Sequence, residues 1–123
     1  MIDGGENLNK SDCLFCKIVN REIPAELVYE DERIVAIKDI NPAAPVHILL
    51  IPREHIVSLD QASNENVELL GCIQTTAAKL ARELGIADKG YRLVNNCGEW
   101  GGQSVLHLHY HLLGGRQLAW PPG

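Results

Sequence analysis

His107-Leu108-His109-Tyr110-His111-Leu112-Leu113 alternates imidazole and apolar side chains without a break. Alternation is the pattern of a β-strand, whose side chains point to opposite faces in turn. The three histidines therefore share one face, roughly 6.6 Å apart along the chain. Leu108, Tyr110 and Leu112 offer the other face to a core, and Gly114-Gly115 ends the strand. Such a row of imidazoles can deliver a nitrogen nucleophile, a proton carrier or metal ligands to one small target.

The residues leading into this strand, Asn96 to Ser104, are polar and glycine-rich. Close approach of backbone N–H groups to an anion needs residues without a Cβ, which Gly101 and Gly102 supply. Together with the donors Asn96 and Ser104, the pair predicts an oxyanion or phosphate cradle. Further upstream, VHILLIP over 46–52 is almost wholly apolar, as in a central strand covered on both faces. His47 interrupts it and must find a hydrogen-bond partner. Alone it reads as a core histidine; beside a row of imidazoles it reads as part of their site.

Working outward, residues 26–30 and 33–38 make two short strands joined at Asp31-Glu32, and 91–95 a further strand. A short helix is predicted over 14–21, with Leu14, Phe15 and Ile18 as its apolar stripe and Ile23-Pro24 ending it. A long helix runs over 64–84, capped by Ser63, with Leu69, Ile73, Ala77, Leu80 and Leu84 on its buried face. Five strands and two helices make an α+β domain.

Size and charge narrow the functions. The chain has 123 residues, 46% hydrophobic and 22% charged, enough for one domain over 12–123 behind a loose tail at 1–11. Its net charge of −5, with acids and bases interspersed, argues against an electrostatic grip on nucleic acid. No apolar run reaches membrane-spanning length and no signal peptide is evident, so a cytoplasmic protein with no membrane partner is expected. Four cysteines occur, two as Cys13-x-x-Cys16; thiols or a metal site fit better than disulfides.

Two chemistries compete for His107, His109 and His111. Histidines two apart on a strand can share a tetrahedral metal with a ligand from elsewhere. Alternatively, one imidazole attacks phosphorus or an acyl carbon while the others orient it and hold the oxyanion. The triad strand holds no carboxylate and the loop before it only Glu99, whereas neutral donors are plentiful. That balance suits a phosphate held without metal.

The motif His-Φ-His-Φ-His-Φ-Φ, with Φ apolar, resembles the signature of the histidine triad (HIT) proteins. The resemblance extends through IPAELVYEDERIVAIKDINPAAPVHILLIPREHI, GYRLVNN, GGQSVLHLHYHLLGGRQ and WPPG, and covers essentially everything from Cys13 onward. The GGRQ and WPPG endings are similar to the Hint branch, the purine nucleoside phosphoramidases, rather than to the dinucleoside polyphosphate hydrolases. The fold so implied is a five-stranded antiparallel sheet with two helices, two copies of which pair as a homodimer with a ten-stranded sheet.

The resemblance implies roles as well. His109 would attack the α-phosphorus of an adenosine or guanosine 5′-phosphoramidate, forming a nucleotidyl-histidine that water hydrolyses to AMP or GMP. The carbonyl of His107 would fix the tautomer of His109, and His47 and His111 would complete a polar relay, with His111 also meeting the phosphate. Asn96, Gly102, Ser104 and the N–H of His109 would hold phosphoryl oxygens, and Asp39 the ribose. The purine would lie among Leu14, Phe15, Ile18, Ile37 and Ile40; Ile37 stands where many such proteins carry phenylalanine. Trp100 would narrow the leaving-group side, and Trp120 would reach the neighbouring subunit's site. No cofactor is needed for this catalysis. Some relatives hold a structural zinc at positions matching Cys13, Cys16, His55 and His107, whereas others lack the cysteine pair; both alternatives are open. A dinucleoside polyphosphate hydrolase and a nucleotide-binding regulatory module with incidental activity are the alternative functions.

Overall fold

The computed structural model describes residues 12–123; the tail assigned to 1–11 lies outside them. The elements run α1 (Leu14–Val19), β1 (Leu27–Glu30), β2 (Ile34–Lys38), β3 (Val46–Pro52), α2 (Val67–Glu83), β4 (Tyr91–Val94) and β5 (Tyr110–Gly114). The strands form one antiparallel sheet in the order β1-β2-β3-β5-β4. The expected α+β architecture of five antiparallel strands and two helices is therefore present.

The sheet separates two cores. On one face, Ile34, Ala36, Ile48, Leu50, Leu108 and Leu112 pack against Leu69, Ile73, Ala77 and Leu80 of α2. On the other, Val35, Ile37, Leu49 and Ile51 meet Cys13, Phe15, Cys16 and Val19 of the α1 segment. His47, Leu49 and Ile51 alternate onto this second face, so the apolar run of β3 is central and covered on both sides.

Several local expectations shift. β5 begins at Tyr110, not His107, although the alternation of faces holds throughout. The ladder stops because the neighbouring backbone is engaged elsewhere. Leu108 N–H donates to the Ile56 carbonyl (2.6 Å), while the Pro52 carbonyl accepts from the His107 side chain (2.8 Å). Helix α1 ends two residues early, at Val19, with Arg21 beyond it at φ 63°, and it buries Phe15, Cys16 and Val19 while Leu14 faces outward. Ser63 caps a 3₁₀ turn at Asn64–Asn66 that precedes α2. Leu84 is the exposed C-cap of α2, and Ala81 completes its buried stripe. The β1–β2 hairpin closes through the Asp31 carboxylate, which accepts from the N–H groups of Arg33 and Ile34 at 2.8 Å.

Candidate active site and metal centre

The proton positions on the imidazoles follow from their partners, because a carbonyl only accepts and a backbone N–H only donates. His109 Nδ1 lies 2.8 Å from the His107 carbonyl, so Nδ1 carries the hydrogen and Nε2 keeps its lone pair. Ala43 N–H donates to His47 Nδ1 at 2.9 Å, which leaves the hydrogen of a neutral His47 on Nε2. That hydrogen points at His111 Nδ1, 2.9 Å away, so a neutral His111 carries its own on Nε2. The result is a directed chain from Ala43 through His47 to His111, beside a His109 ring of opposite tautomer. The His109 and His111 rings lie 5.1 Å apart.

Burial sets the charge of these rings. Desolvation holds His109 below the usual imidazole range and lowers His111 to about 4, the neighbouring rings adding to the latter. Both are therefore neutral near pH 7. Asp39 stands at the end of β2 with Oδ2 3.4 Å from His47 Nε2, while its Oδ1 accepts from Asn41 N–H at 2.7 Å.

A second cluster lies beside His109. His107 Nε2–H donates to the Pro52 carbonyl, which frees Nδ1. Around that nitrogen stand Cys13 Sγ at 3.3 Å, Cys16 Sγ at 3.5 Å and His55 Nδ1 at 3.2 Å, and Cys16 Sγ is 3.2 Å from His55 Nδ1. Zinc–ligand lengths put the edges of a tetrahedral cage at about 3.3 Å for N···N and about 3.6 Å for N···S. The four donors are already near those spacings, and the Cys16 N–H on Cys13 Sγ (3.3 Å) supports one of them from outside. The donor set fits zinc. None of the four cysteines is in a disulfide.

The remaining expected residues divide. Phe15 sits edge-on to His109 at 4.8 Å, and Ile18 and Ile37 border the same apolar cluster. Leu14 is 45% exposed and Ile40 is 92% exposed, so neither joins that cluster. Trp120 is 79% exposed and lies over Arg92, 5.9 Å from its guanidinium. Trp100 is fully exposed and narrows nothing in this subunit. Asn96 and Ser104 make no side-chain hydrogen bond among the described residues, so their polar ends are uncommitted. The glycine pair is corrected. Gly102 N–H donates to the Glu99 carbonyl (3.0 Å), so it is unavailable to a phosphate. Gly101 has no room for a Cβ, which would run into the Cys97 carbonyl, and Gly102 adopts φ 84°. The pair makes the tight turn that returns the chain to the triad.

Two residues escaped the sequence reading. Gln103 ties this loop down: its Oε1 accepts from Gly98 N–H (2.9 Å), and its Nε2 donates to the carbonyls of Val57 (2.7 Å) and Val105 (3.0 Å). Asn95 Nδ2 donates to the His109 carbonyl at 3.0 Å. An asparagine just after a strand signals only a turn, so neither role was visible.

With this geometry in view, the comparisons with known proteins are decisive. The HIT domain profile matches residues 20–118. This chain belongs to the HIT domain family. An uncharacterized HIT-like protein of Synechococcus elongatus is 53% identical over 112 residues, 91% of this chain and 97% of the relative. The 14 kDa zinc-binding protein of Zea mays is 48% identical over 118 residues, 94% of this chain and 91% of the relative. The crystal structure of a HIT family hydrolase from Legionella pneumophila superposes with a TM-score of 0.90 at 52% identity, covering 91% of this chain and all of that one.

Proposed function

We propose that this HIT protein is a hydrolase of the Hint branch that cleaves the P–N bond of adenosine or guanosine 5′-phosphoramidates. The observation that carries this reading is the opposite tautomers of His109 and His111. One presents a lone pair and the other a hydrogen, which is what displacement of an amine from phosphorus requires.

The steps follow from those atoms. His109 Nε2 attacks phosphorus and the P–N bond to the amine breaks. The amine leaves neutral only if its nitrogen gains a proton. An anionic substrate raises the proton affinity of the rings beside it, and the Asp39 carboxylate raises that of His111, which is hydrogen-bonded to His47 as a pair. The extra proton held by that pair passes to the departing nitrogen. The His107 carbonyl stabilises the nucleotidyl-imidazolium through His109 Nδ1–H. Water then attacks phosphorus, gives its proton to the pair, and releases AMP or GMP with His109 restored. Asn96, Ser104 and the His109 N–H hold the phosphoryl oxygens, Asp39 meets the ribose, and Phe15, Ile18 and Ile37 flank the purine.

Zinc on Cys13, Cys16, His55 and His107 supplies a structural cross-link in this scheme. The named zinc-binding relative and the donor spacing support it. The thiols suit a reducing cytoplasm. Among the described residues strand β4 is one edge of the sheet, bonded to β5 on its inner side. A second copy pairing there would continue the sheet to ten strands and bring Trp120 toward its neighbour's site. Light scattering at twice the 13.6 kDa chain mass is the expected result.

The central test is turnover of adenosine 5′-phosphoramidates with varied amines, run beside diadenosine tri- and tetraphosphate. Acid quench of the faster substrate should trap a nucleotide mass on His109. His109→Ala should lose at least about a thousandfold in turnover while still binding AMP. Faster cleavage of the dinucleotides would move the protein to the polyphosphate hydrolases. Tight AMP binding with negligible turnover of either would make it a regulatory module.

A further inference from the structure

We propose that occupancy of the Cys13–Cys16–His55–His107 site controls the reactivity of His109. This rests on reading that cluster as a zinc site and His109 as the nucleophile.

His107 belongs to both assemblies through different atoms. Its Nδ1 faces the two thiols and His55, its Nε2–H is held by the Pro52 carbonyl, and its own carbonyl fixes the hydrogen of His109. A cation on Nδ1 holds the ring at both nitrogens, and the main-chain carbonyl inherits that fixed position. Without a cation the two ring nitrogens have weak S–H donors, Cys13 Sγ at 3.3 Å from His107 Nδ1 and Cys16 Sγ at 3.2 Å from His55 Nδ1, and the His107 ring is held firmly at Nε2 alone.

The second link is Phe15. It lies between the two cysteine ligands on the first turn of α1, and its ring stands edge-on to both His107 (6.0 Å) and His109 (4.8 Å). The wall that buries the nucleophile thus rides on the segment that carries the thiols. Helix α1 has six residues, too few to be stable alone, and its N-cap is the Cys13 sulfur itself. Loss of the metal therefore loosens the carbonyl that sets the His109 tautomer and the aromatic wall that shields its ring. The His47–His111 pair shares neither contact and keeps its own anchor at Ala43.

The test uses the whole protein loaded with one equivalent of zinc, stripped with a chelator, and reloaded. Long-range ¹H–¹⁵N NMR reads the ring tautomers, and peptide mass mapping reads carbethoxylation of each histidine by diethyl pyrocarbonate. In the loaded form His109 should show a single Nδ1–H tautomer and slow modification, as befits a side chain only 3% exposed. Stripping should mix its tautomers and raise its modification rate at least about threefold. Phosphoramidate turnover should fall at the same time, His47 and His111 should hold their tautomers, and reloading should reverse all three changes. His55→Ala, at the half-buried rim of the cluster, should need more zinc to reach the loaded state.

Stoichiometric zinc that leaves the His109 tautomer and modification rate unmoved would overturn the coupling while sparing the metal site. Uptake below about a tenth of an equivalent per chain would remove both. Zinc-dependent His109 signals in a protein without phosphoramidate turnover would uphold the coupling and reject the proposed reaction.

Discussion

Two groups of side chains on one face of the sheet each bring three or more ligand-type atoms within 4.8 Å of one another. One is Cys13, Cys16, His55 and His107; the other is Asp39, His47 and His111. By distance alone both resemble metal sites. They differ in where the backbone has put the protons. The Pro52 carbonyl takes a hydrogen from His107 and leaves a lone pair facing the thiols. The Ala43 N–H takes the lone pair of His47 Nδ1 and leaves a hydrogen facing His111. The first arrangement presents a lone pair suited to a cation; the second points a hydrogen from one ring to the next.

The sharpest way to break this distinction is to remove the metal. Purified without chelator, the protein should carry about one zinc per chain, and Cys16→Ser should abolish it. His47→Ala and His111→Ala should leave the stoichiometry unchanged. A ligand at a thousandfold its Kd contributes about 4 kcal/mol, and about 4 °C of melting temperature attends each kcal/mol in a chain of this size. Stripping should therefore lower Tm by about 15 °C by calorimetry.

On the proton side, His47→Phe removes the hydrogen that holds His111 in its tautomer. Turnover should fall about a hundredfold at unchanged zinc content. His47→Gln, which keeps an N–H donor, should recover part of the loss. Equal loss in both variants would mean that His47 only fills space.

Acid should separate the rings from ordinary surface histidines. His111 titrates near 4 in the fold and near 6.5 when unfolded, and His109 is shifted the same way by burial. Between those values the unfolded chain binds more protons, so stability is complete above pH 6.5 and drains away as pH falls toward 4. Thermal melts from pH 7.5 to 4.5 should show this slope reduced in His111→Asn. Because burial keeps His109 neutral into mild acid, the acid limb of turnover should lie below pH 6.5.

Much of this was legible because strand periodicity carries both fold and site. The alternation at 107–113 placed three imidazoles on one face, and the apolar run at 46–52, interrupted only by His47, marked the middle strand. Tertiary partners were not legible. Nothing local says that His107 meets the Pro52 carbonyl, which is why the ladder starts at Tyr110 and why Nδ1 of the ring is left facing the thiols. The Gly101-Gly102 pair misled for the same reason. A turn and an anion cradle demand the same residues, and only the Glu99 carbonyl decides between them. Leu14 fitted a helical stripe, but a six-residue helix buries too narrow a face to include it.

The smallest predicted effect tests whether the nucleophile's main chain matters as well as its ring. Val94 pairs with His111, and beyond that rung β4 leaves the sheet. The Asn95 carboxamide takes over, donating to the His109 carbonyl, while its Oδ1 is buried with no hydrogen-bond partner among the described residues. The two ends of this side chain pull in opposite directions. The bond to His109 contributes about 1 kcal/mol, and the unpaired acceptor costs a comparable amount. Asn95→Leu, of nearly the same shape, removes both and should leave Tm within about 2 °C. It should still lower kcat about fivefold at constant KM, because a displaced His109 backbone misaims the attack after substrate has bound. A large drop in Tm instead would mean that Oδ1 is satisfied in solution, and the open edge of β4 is where a second copy would bring the donor.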